Sequence, residues 1–546
     1  MLCVIASTPF IIRPLFRGLV SVHVVLFQRM TASGVCLLPR REVHKMVSSG
    51  VSFESVSFAY EGASLPLFQG LTARFPAGWT GIIGANGAGK TTILLLATGM
   101  LKPTSGCVRT WGRAVYCPQR TENPPPRFGD LISASDPDAF ELKGILGVQG
   151  DWLTRWDTLS HGERKRGQIA VALWLRPQVL AIDEPTNHID ADARLLLTHA
   201  LRAFKGSGLM VSHDRELLDS MCTQCLFVEP PAAVLRAGGY TDGSREAQRE
   251  DERRRRERKR ARIVFERLRR EVIRRREKAS RADRERSKRG LALHDHDARA
   301  KKDMARITGK DGQAGRLTRQ LEGRLDQAED VLEGSKVRKT YRLGIWISGV
   351  RSHRDCVFQL PAGEIALGPD RKLRFPGLRM CPEDRIALTG PNGMGKTTLV
   401  ALIIDSLNLP RDKVTYMPQE IDLRTSTELV RKVRSLKDEM LGRVMTVVSC
   451  LNSRPRRILE TEEPSPGEVR KLLLALGIAH EPHLIVMDEP TNHLDLPSVE
   501  CLEAALAGCP CALFLVSHDN RFLDRLTTIR WRVVPDEKGA QLLIER

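Results

Sequence analysis

Gly84-Ala-Asn-Gly-Ala-Gly-Lys90-Thr91 and Gly390-Pro-Asn-Gly-Met-Gly-Lys396-Thr397 carry one pattern, GxxxxGK[ST], twice in a single chain. Each follows a short apolar run, Thr80 to Ile83 and Arg385 to Thr389, and opens a helix-like one, the strand–loop–helix context that this pattern needs. In such a loop the glycines let backbone N–H groups close around phosphate oxygens, and the following helix turns its positive end toward them. The spacing assigns Gly84, Asn86, Gly87, Gly89, Lys90, Thr91 and Thr92 to one phosphate-binding loop. It assigns Gly390, Asn392, Gly393, Gly395, Lys396, Thr397 and Thr398 to a second. Lys90 and Lys396 are placed to reach the β- and γ-phosphates, and Thr91 and Thr397 to ligate Mg2+.

Moving outward, each half continues with an apolar strand that ends in acid, Val179-Leu-Ala-Ile-Asp183-Glu184 and Leu484-Ile-Val-Met-Asp488-Glu489. The lysine-to-aspartate separations are 93 and 92 residues, so the halves repeat almost in register. Asp183 and Asp488 suit Mg2+, while Glu184 and Glu489, at the strand ends, suit a general base that orients the attacking water. Thirty residues beyond each aspartate a further apolar run ends in Val-Ser-His-Asp, giving His213 and His518. A lone histidine there reads as structural; a pair at identical offsets reads as a γ-phosphate sensor.

Together these motifs resemble an ATP-binding cassette ATPase, present twice. The resemblance implies a glutamine between the first two motifs, matched by Gln119 in Tyr-Cys-Pro-Gln and Gln419 in Tyr-Met-Pro-Gln. It also implies a signature before the acidic strand, matched by Leu159-Ser-His-Gly-Glu163 and Pro464-Ser-Pro-Gly-Glu468. His161 and Pro466 stand where the family has glycine, and Pro464 where it has leucine, while Ser160, Gly162, Ser465 and Gly467 remain. In the family the phosphate loop of one cassette faces the signature of the other, so two ATP molecules are sandwiched. Site one then combines Lys90, Asp183 and Glu184 with Ser465 and Gly467. Site two combines Lys396, Asp488 and Glu489 with Ser160 and Gly162. An adenine-stacking aromatic is expected ahead of the first phosphate loop, where Tyr60 fits. The same offset in the second half falls on Ala366 and yields no equivalent.

The charge of the chain is concentrated. Of a net +19, residues 241–340 hold 33 Lys and Arg against 20 Asp and Glu, and residues 1–50 hold six against one. Two nearly neutral halves therefore flank a basic middle, which points to a polyanionic partner. From Arg253 to Arg289 that middle is mainly Arg, Lys and Glu, with Val264, Leu268 and Val272 at helical spacing. Gly309, Gly312 and Gly315 predict a break or a frayed region, after which Leu317, Leu321, Leu325, Ala328 and Leu332 form a second stripe. Two antiparallel helices along a narrow apolar seam satisfy this pattern. The charges of a solvated strut balance, whereas here Arg274, Arg275, Arg276, Arg281, Arg284, Arg286, Lys288 and Arg289 cluster, which assigns them to RNA contact. The tip, Ala282 to Asp297, is where specificity is expected.

The expected fold is thus α/β: two P-loop cassettes, residues 46–240 and 341–546, joined by a long basic, antiparallel coiled-coil-like linker, residues 241–340. Residues 1–45 fit an organellar leader less well than an upstream extension ahead of Met46, and stand outside the fold argument. No apolar run reaches the length of a membrane span. Twelve cysteines are scattered, and the one CxxC, Cys222 and Cys225, has no second pair at zinc-finger spacing, so they read as reduced thiols.

Glu184-Pro-Thr-Asn-His188-Ile-Asp190 and Glu489-Pro-Thr-Asn-His493-Leu-Asp495, where transport cassettes usually have Ser or Ala, resemble the ABC-F family of translation factors and antibiotic-resistance proteins. The resemblance implies a cytoplasmic, monomeric ATP hydrolase using ATP and Mg2+. Its linker is expected to meet the ribosome and ribosomal RNA, with tRNA a further candidate. The spacing from Lys90 to Ser160 leaves no room for the extra arm of some housekeeping members. The competing class is an ATPase subunit docking on separate membrane chains; a DNA-directed cassette protein is weaker, because longer coiled coils or zinc modules usually interrupt those cassettes.

Overall fold

A computed structural model describes residues 50–286, 310–334 and 349–545, apart from positions 64, 188, 369–370, 452, 454–464, 493 and 538. His188, His493, Pro464, Lys288, Arg289 and the extension 1–45 lie outside the described residues, as does most of the expected tip. The side chains of Arg281, Arg284 and Arg286 lie outside them too.

The first half opens with β1 (Val51–Phe58), β2 (Phe68–Phe75), β3 (Gly78–Gly84) and helix α1 (Lys90–Ala97). It continues through β4 (Ser105–Thr110), β5 (Ala114–Cys117), α2 (Phe128–Ser133), α3 (Pro137–Leu146) and α4 (His161–Trp174). It closes with β6 (Val179–Asp183), α5 (Ala191–Arg202), β7 (Ser207–Val211), α6 (Arg215–Met221), β8 (Cys222–Glu229) and β9 (Ala232–Ala237). The main sheet has the order β5-β6-β7-β3-β8-β9, parallel except for β9. Its central strands are buried along their whole length, which is why they read as continuous apolar runs rather than alternating ones. A separate antiparallel sheet, β2-β1-β4, covers one face. Between the two sheets, α1 buries Ile93, Leu94, Leu96 and Ala97 in a core with Phe53, Phe68 and Phe75. The phosphate loop therefore hangs between the end of a central strand and a helix packed into the core.

Among the described residues two helices follow, α7 (Tyr240–Arg286) and α8 (Lys310–Gly334), and they pack on each other. Val272 and Leu321 are buried in the seam, and Arg276 pairs with Glu322 across it. The first helix starts at Tyr240, one residue ahead of the expected linker, and two expectations change here. The second runs through Gly312 and Gly315, where a break or a frayed region was expected, at a cost of roughly 1 kcal/mol for each helical glycine. Val264 is not in the seam but 51% exposed. Counting back along both helices from Arg276 and Glu322, Val264 comes level with Gly334, where α8 ends.

The second half repeats the plan with one change. Its strands are β10 (Phe358–Leu360), β11 (Gly363–Ala366), β12 (Lys372–Phe375), β13 (Leu378–Met380) and β14 (Arg385–Thr389), followed by α9 (Lys396–Asp405) and β15 (Val414–Met417). Then come α10 (Leu423–Arg434), α11 (Asp438–Cys450), α12 (Pro466–Ala479), β16 (Leu484–Asp488), α13 (Leu496–Ala507) and β17 (Ala512–Val516). Helix α14 (Asn520–Leu526), β18 (Ile529–Asp536) and β19 (Gly539–Glu545) complete it. The hairpin β11–β12 joins the main sheet through β19, giving β11-β12-β19-β18-β14-β17-β16-β15. Among the described residues, β10 and β13 remain as a separate pair.

Candidate active site

Both phosphate loops close on their own lysines. Lys90 Nζ donates to the carbonyls of Gly84 at 2.9 Å and Ala85 at 3.2 Å, and Lys396 Nζ to Gly390 at 2.7 Å and Pro391 at 3.0 Å. Burial lowers the pKa of each lysine, against the pull of neighbouring carboxylates. Gly89 and Gly395, with φ of 92° and 84°, lead into α1 and α9. A Cβ on Gly89 would meet Leu67 and Phe68, and one on Gly395 would meet Leu367, so both positions demand glycine.

One residue on, Thr91 Oγ1 donates to Asp183 Oδ2 at 2.7 Å and Thr397 Oγ1 to Asp488 Oδ2 at 2.9 Å. The pairing of a hydroxyl and a carboxylate at the loop's mouth brings together the hard oxygen donors that Mg2+ takes alongside phosphate and water. Tyr116 Oη adds a 3.4 Å contact to Asp183. Thr92 is buried and hydrogen-bonded to Tyr60 Oη at 2.8 Å, which holds a 51% exposed ring beside the first loop. Thr398 is exposed, without such a cover.

Glu184 and Glu489 are buried beyond their strands. Their amides donate to Val211 O at 2.9 Å and Val516 O at 2.8 Å, and burial pushes both carboxyls up to about 8. His213 Nε2 lies 3.0 Å from Glu184 Oε1; His518 Nε2 lies 3.0 Å from Asn392 Oδ1 in the second loop and 3.5 Å from Glu489 Oε1. Burial, with Lys396 nearby, lowers the His518 pKa to about 4. Gln119 is exposed, and Gln419 lines the cleft between the halves with Asp190, His213 and His518.

Ser160 and Ser465 cap the helices α4 and α12. Each hydroxyl bonds its own Glu163 or Glu468 carboxylate at 2.7 Å, and each helix N-terminus is closed as a reciprocal capping box. His161 and Pro466 are therefore first helical residues, where proline's missing N–H is not needed. Gly162 is half-buried and Gly467 buried beside them.

Across the interface, Asp495 at the start of α13 accepts from Asn86 N in the first phosphate loop at 3.0 Å. Its counterpart Asp190 lies close enough to Lys396 to favour the charged lysine. This role for Asp495 has no signal in the motifs, although both acids end the Asn-His segments. Lys165, Arg470 and Lys471 are buried cations in the signature helices that belong to none of the quoted motifs.

The ABC transporter family model matches residues 69–187 and 376–492, one stretch in each half. ATP-binding protein Uup of Caulobacter vibrioides is 30% identical over 512 residues, which cover 87% of this chain and 76% of that protein. The chain belongs to the ABC-F family of ATP-binding cassette ATPases. It binds nucleotide and hydrolyses ATP. Ribosome protection protein VmlR of Bacillus subtilis is 27% identical, covering 86% of this chain and 84% of that one. Tylosin resistance ATP-binding protein TlrC of Streptomyces fradiae is 29% identical, covering 88% and 96%. Among solved structures, RNase-L Inhibitor superposes with a TM-score of 0.59 at 18% identity, covering 90% of each chain, and shows the same tandem fold. Among the described residues no helix is long and apolar enough to cross a membrane. The relatives matched across both cassettes support the ABC-F reading over a transport subunit.

Proposed function

We propose that this ATPase binds one ATP at each of two composite sites, closes its cassettes on them, and acts on the ribosome through the basic linker. Its role would be that of a cytoplasmic translation factor or ribosome-protection protein, working as a monomer because its two cassettes pair within one chain. At site one, the backbone of Gly84, Asn86, Gly87 and Gly89 cradles the phosphates with Lys90, Thr91 and Thr92. Tyr60 stacks on adenine, and Ser465 and Gly467 close from the other half. At site two, Gly390, Asn392, Gly393, Gly395, Lys396, Thr397 and Thr398 meet Ser160 and Gly162. Mg2+, held by Thr91 with Asp183 and by Thr397 with Asp488, would neutralise phosphate charge. Glu184 and Glu489 orient the attacking water, and His213, His518, Gln119 and Gln419 report on the γ-phosphate.

The observation that carries this reading is the root of the linker. Tyr240 Oη donates to Glu500 Oε1 of the second cassette at 2.7 Å, while Thr241 N donates to Asp219 Oδ1 of the first, also at 2.7 Å. Arg521 of the second cassette bonds both Asp219 and Thr241, at 3.0 and 2.9 Å. A helix rooted on both cassettes moves when they close, and ATP drives closure only by binding the closed form better. The helix α7 carries 20 Lys and Arg against 11 Asp and Glu. Arg274 is exposed, Arg275 pairs with Glu271, and Arg276 pairs with Glu322 across the helices while its side chain stays largely exposed. Arginine-rich surface of this kind suits ribosomal RNA and tRNA phosphates. The names of VmlR and TlrC agree with a ribosomal or antibiotic-resistance role.

The test is co-sedimentation of ribosomes with Glu184→Gln/Glu489→Gln protein at near-physiological salt, with ATP and with ADP. ATP-dependent pelleting that vanishes on removing residues 250–335 is the expected result. No pelleting with either nucleotide would overturn the ribosomal reading.

A further inference from the structure

Five residues after each signature serine, a cation is sealed inside the protein. Lys165 is fully buried, and its Nζ donates to Pro118 O at 2.7 Å and Asp183 O at 3.0 Å. Arg470, 3% exposed, donates from Nη1 to Glu489 O and Asn492 O, both at 2.9 Å, and from Nη2 to Gln419 O. The acceptors are not arbitrary. Pro118 precedes Gln119, Asp183 precedes Glu184, and in the second half the acceptors are Gln419 and Glu489 themselves. One buried charge thus joins the signature helix, the glutamine loop and the end of the acidic strand in each cassette, through rigid backbone dipoles alone.

A buried cation needs partners to offset its lost hydration. A core could be filled more stably by an apolar side chain, so these charges invite an explanation beyond packing. The bonds they make run between parts that serve different ATP sites. In the composite-site arrangement proposed above, the signature of the second cassette serves site one, while Glu489 and Gln419 of that cassette serve site two.

We propose that Lys165 and Arg470 are positioning residues that lock each signature helix to the glutamine loop and catalytic strand of its own cassette, so that the two ATP sites are mechanically joined. The proposal rests on the composite-site reading. When Arg470 holds its three carbonyls, a displacement of Glu489 or Gln419 on nucleotide binding is carried into Ser465 and Gly467 at the other site. Lys165 does the same in the opposite direction, from Gln119 and Glu184 to Ser160 and Gly162.

The test uses full-length protein carrying Glu489→Gln, which silences turnover at site two and leaves site one to be measured by steady-state ATPase assay. Arg470 is remote from the ATP of site one except through the signature. Arg470→Met is expected to lower the remaining kcat about tenfold or more while the KM for ATP, set by Lys90, Thr91 and Tyr60 of the other cassette, stays within about threefold. Arg470→Lys, which restores a cation like that of Lys165, is expected to recover kcat to within about threefold. A site-one kcat within about twofold of the parent in Arg470→Met overturns the proposal. Should that variant melt more than about 10 °C early, Arg470→Gln is read in its place by the same criterion, because it keeps a polar head but cannot span the three carbonyls. Ser465→Arg in the same background separates the two readings. If it abolishes site-one turnover while the Arg470 variants do not, the lock fails and the composite site stands. If it too leaves turnover intact, the composite-site reading fails.

Discussion

Glu184 and Glu489 hold φ angles of 47° and 50°, a left-handed conformation that side-chain-bearing residues rarely adopt. Each is fixed by an amide bond to the neighbouring strand, so the carboxylate leaves the sheet at a set angle into a buried space. The burial has a measurable consequence for the metal- and nucleotide-free protein. With a folded pKa raised from 4.5 to about 8, each carboxyl contributes stability that is complete below about pH 4.5 and lost as pH rises through 8. Within that window each carboxyl costs at most about 1.4 kcal/mol per pH unit. The Glu184→Gln/Glu489→Gln protein should therefore outlast the parent in chemical denaturation at pH 8 and lose most of that advantage at pH 5. An advantage equal at both pH values would refute the assignment. These glutamates were legible in sequence because phosphate chemistry fixes residue types and spacing. Asp495, Lys165 and Arg470 were not, because what they do depends on carbonyls and amides brought near by folding, and a backbone partner leaves no trace in the residue pattern.

At the level of elements, the interface is one-sided. Arg215 on α6 of the first cassette pairs with Glu503 on α13 of the second, both buried, and Arg525 also reaches Glu503 at 3.0 Å. Aligning Asp214 with Asp519 and Asp190 with Asp495 places Asn520 and Thr198 at the corresponding positions, which cannot form that pair. Glu503→Ala leaves Arg215 buried with only Asp519, 3.4 Å away, and should cost about 3–5 kcal/mol. Adding Arg215→Ala should recover part of it, so a double-mutant cycle on thermal unfolding should show strong coupling. Independent, additive losses would mean that the pair does not hold the cassettes together. The start of α7 rests on other contacts of the two cassettes. Gly238, Gly239, Asp242, Gly243 and Ser244 have the composition of a turn, and the run of good helix formers begins only near Arg253. Tyr240 and Thr241 bond to Glu500 and Asp219, and those tertiary bonds extend the helix backward through residues of poor intrinsic propensity.

Across the whole molecule, the two halves agree in motif and differ in what surrounds it. In the first, an independent three-stranded sheet leads to Tyr60, whose ring is fixed by Thr92 at the loop's edge. In the second, the hairpin β11–β12 has been drawn into the main sheet, and its turn brings Leu367 against Gly395 and Arg371 against Met394, at 3.2 Å from Nη2 to Sδ. Residues 361–371 contain no aromatic side chain, which is why no adenine partner could be named from sequence and why the rearranged hairpin does not supply one. Stacking of a base on an aromatic ring is worth about 1–3 kcal/mol. Site one should therefore hold ATP more tightly than site two. With Glu489→Gln only site one turns over, and with Glu184→Gln only site two does, so the two single variants isolate the sites without touching either base contact. The KM for ATP should be about five- to tenfold higher in Glu184→Gln than in Glu489→Gln, and Tyr60→Ala in the Glu489→Gln background should close most of that gap while Tyr60→Phe preserves it. Equal KM values in the two single variants would mean that the guanidinium of Arg371 serves the base as well as a ring does, and that the difference in architecture between the halves carries no difference in affinity.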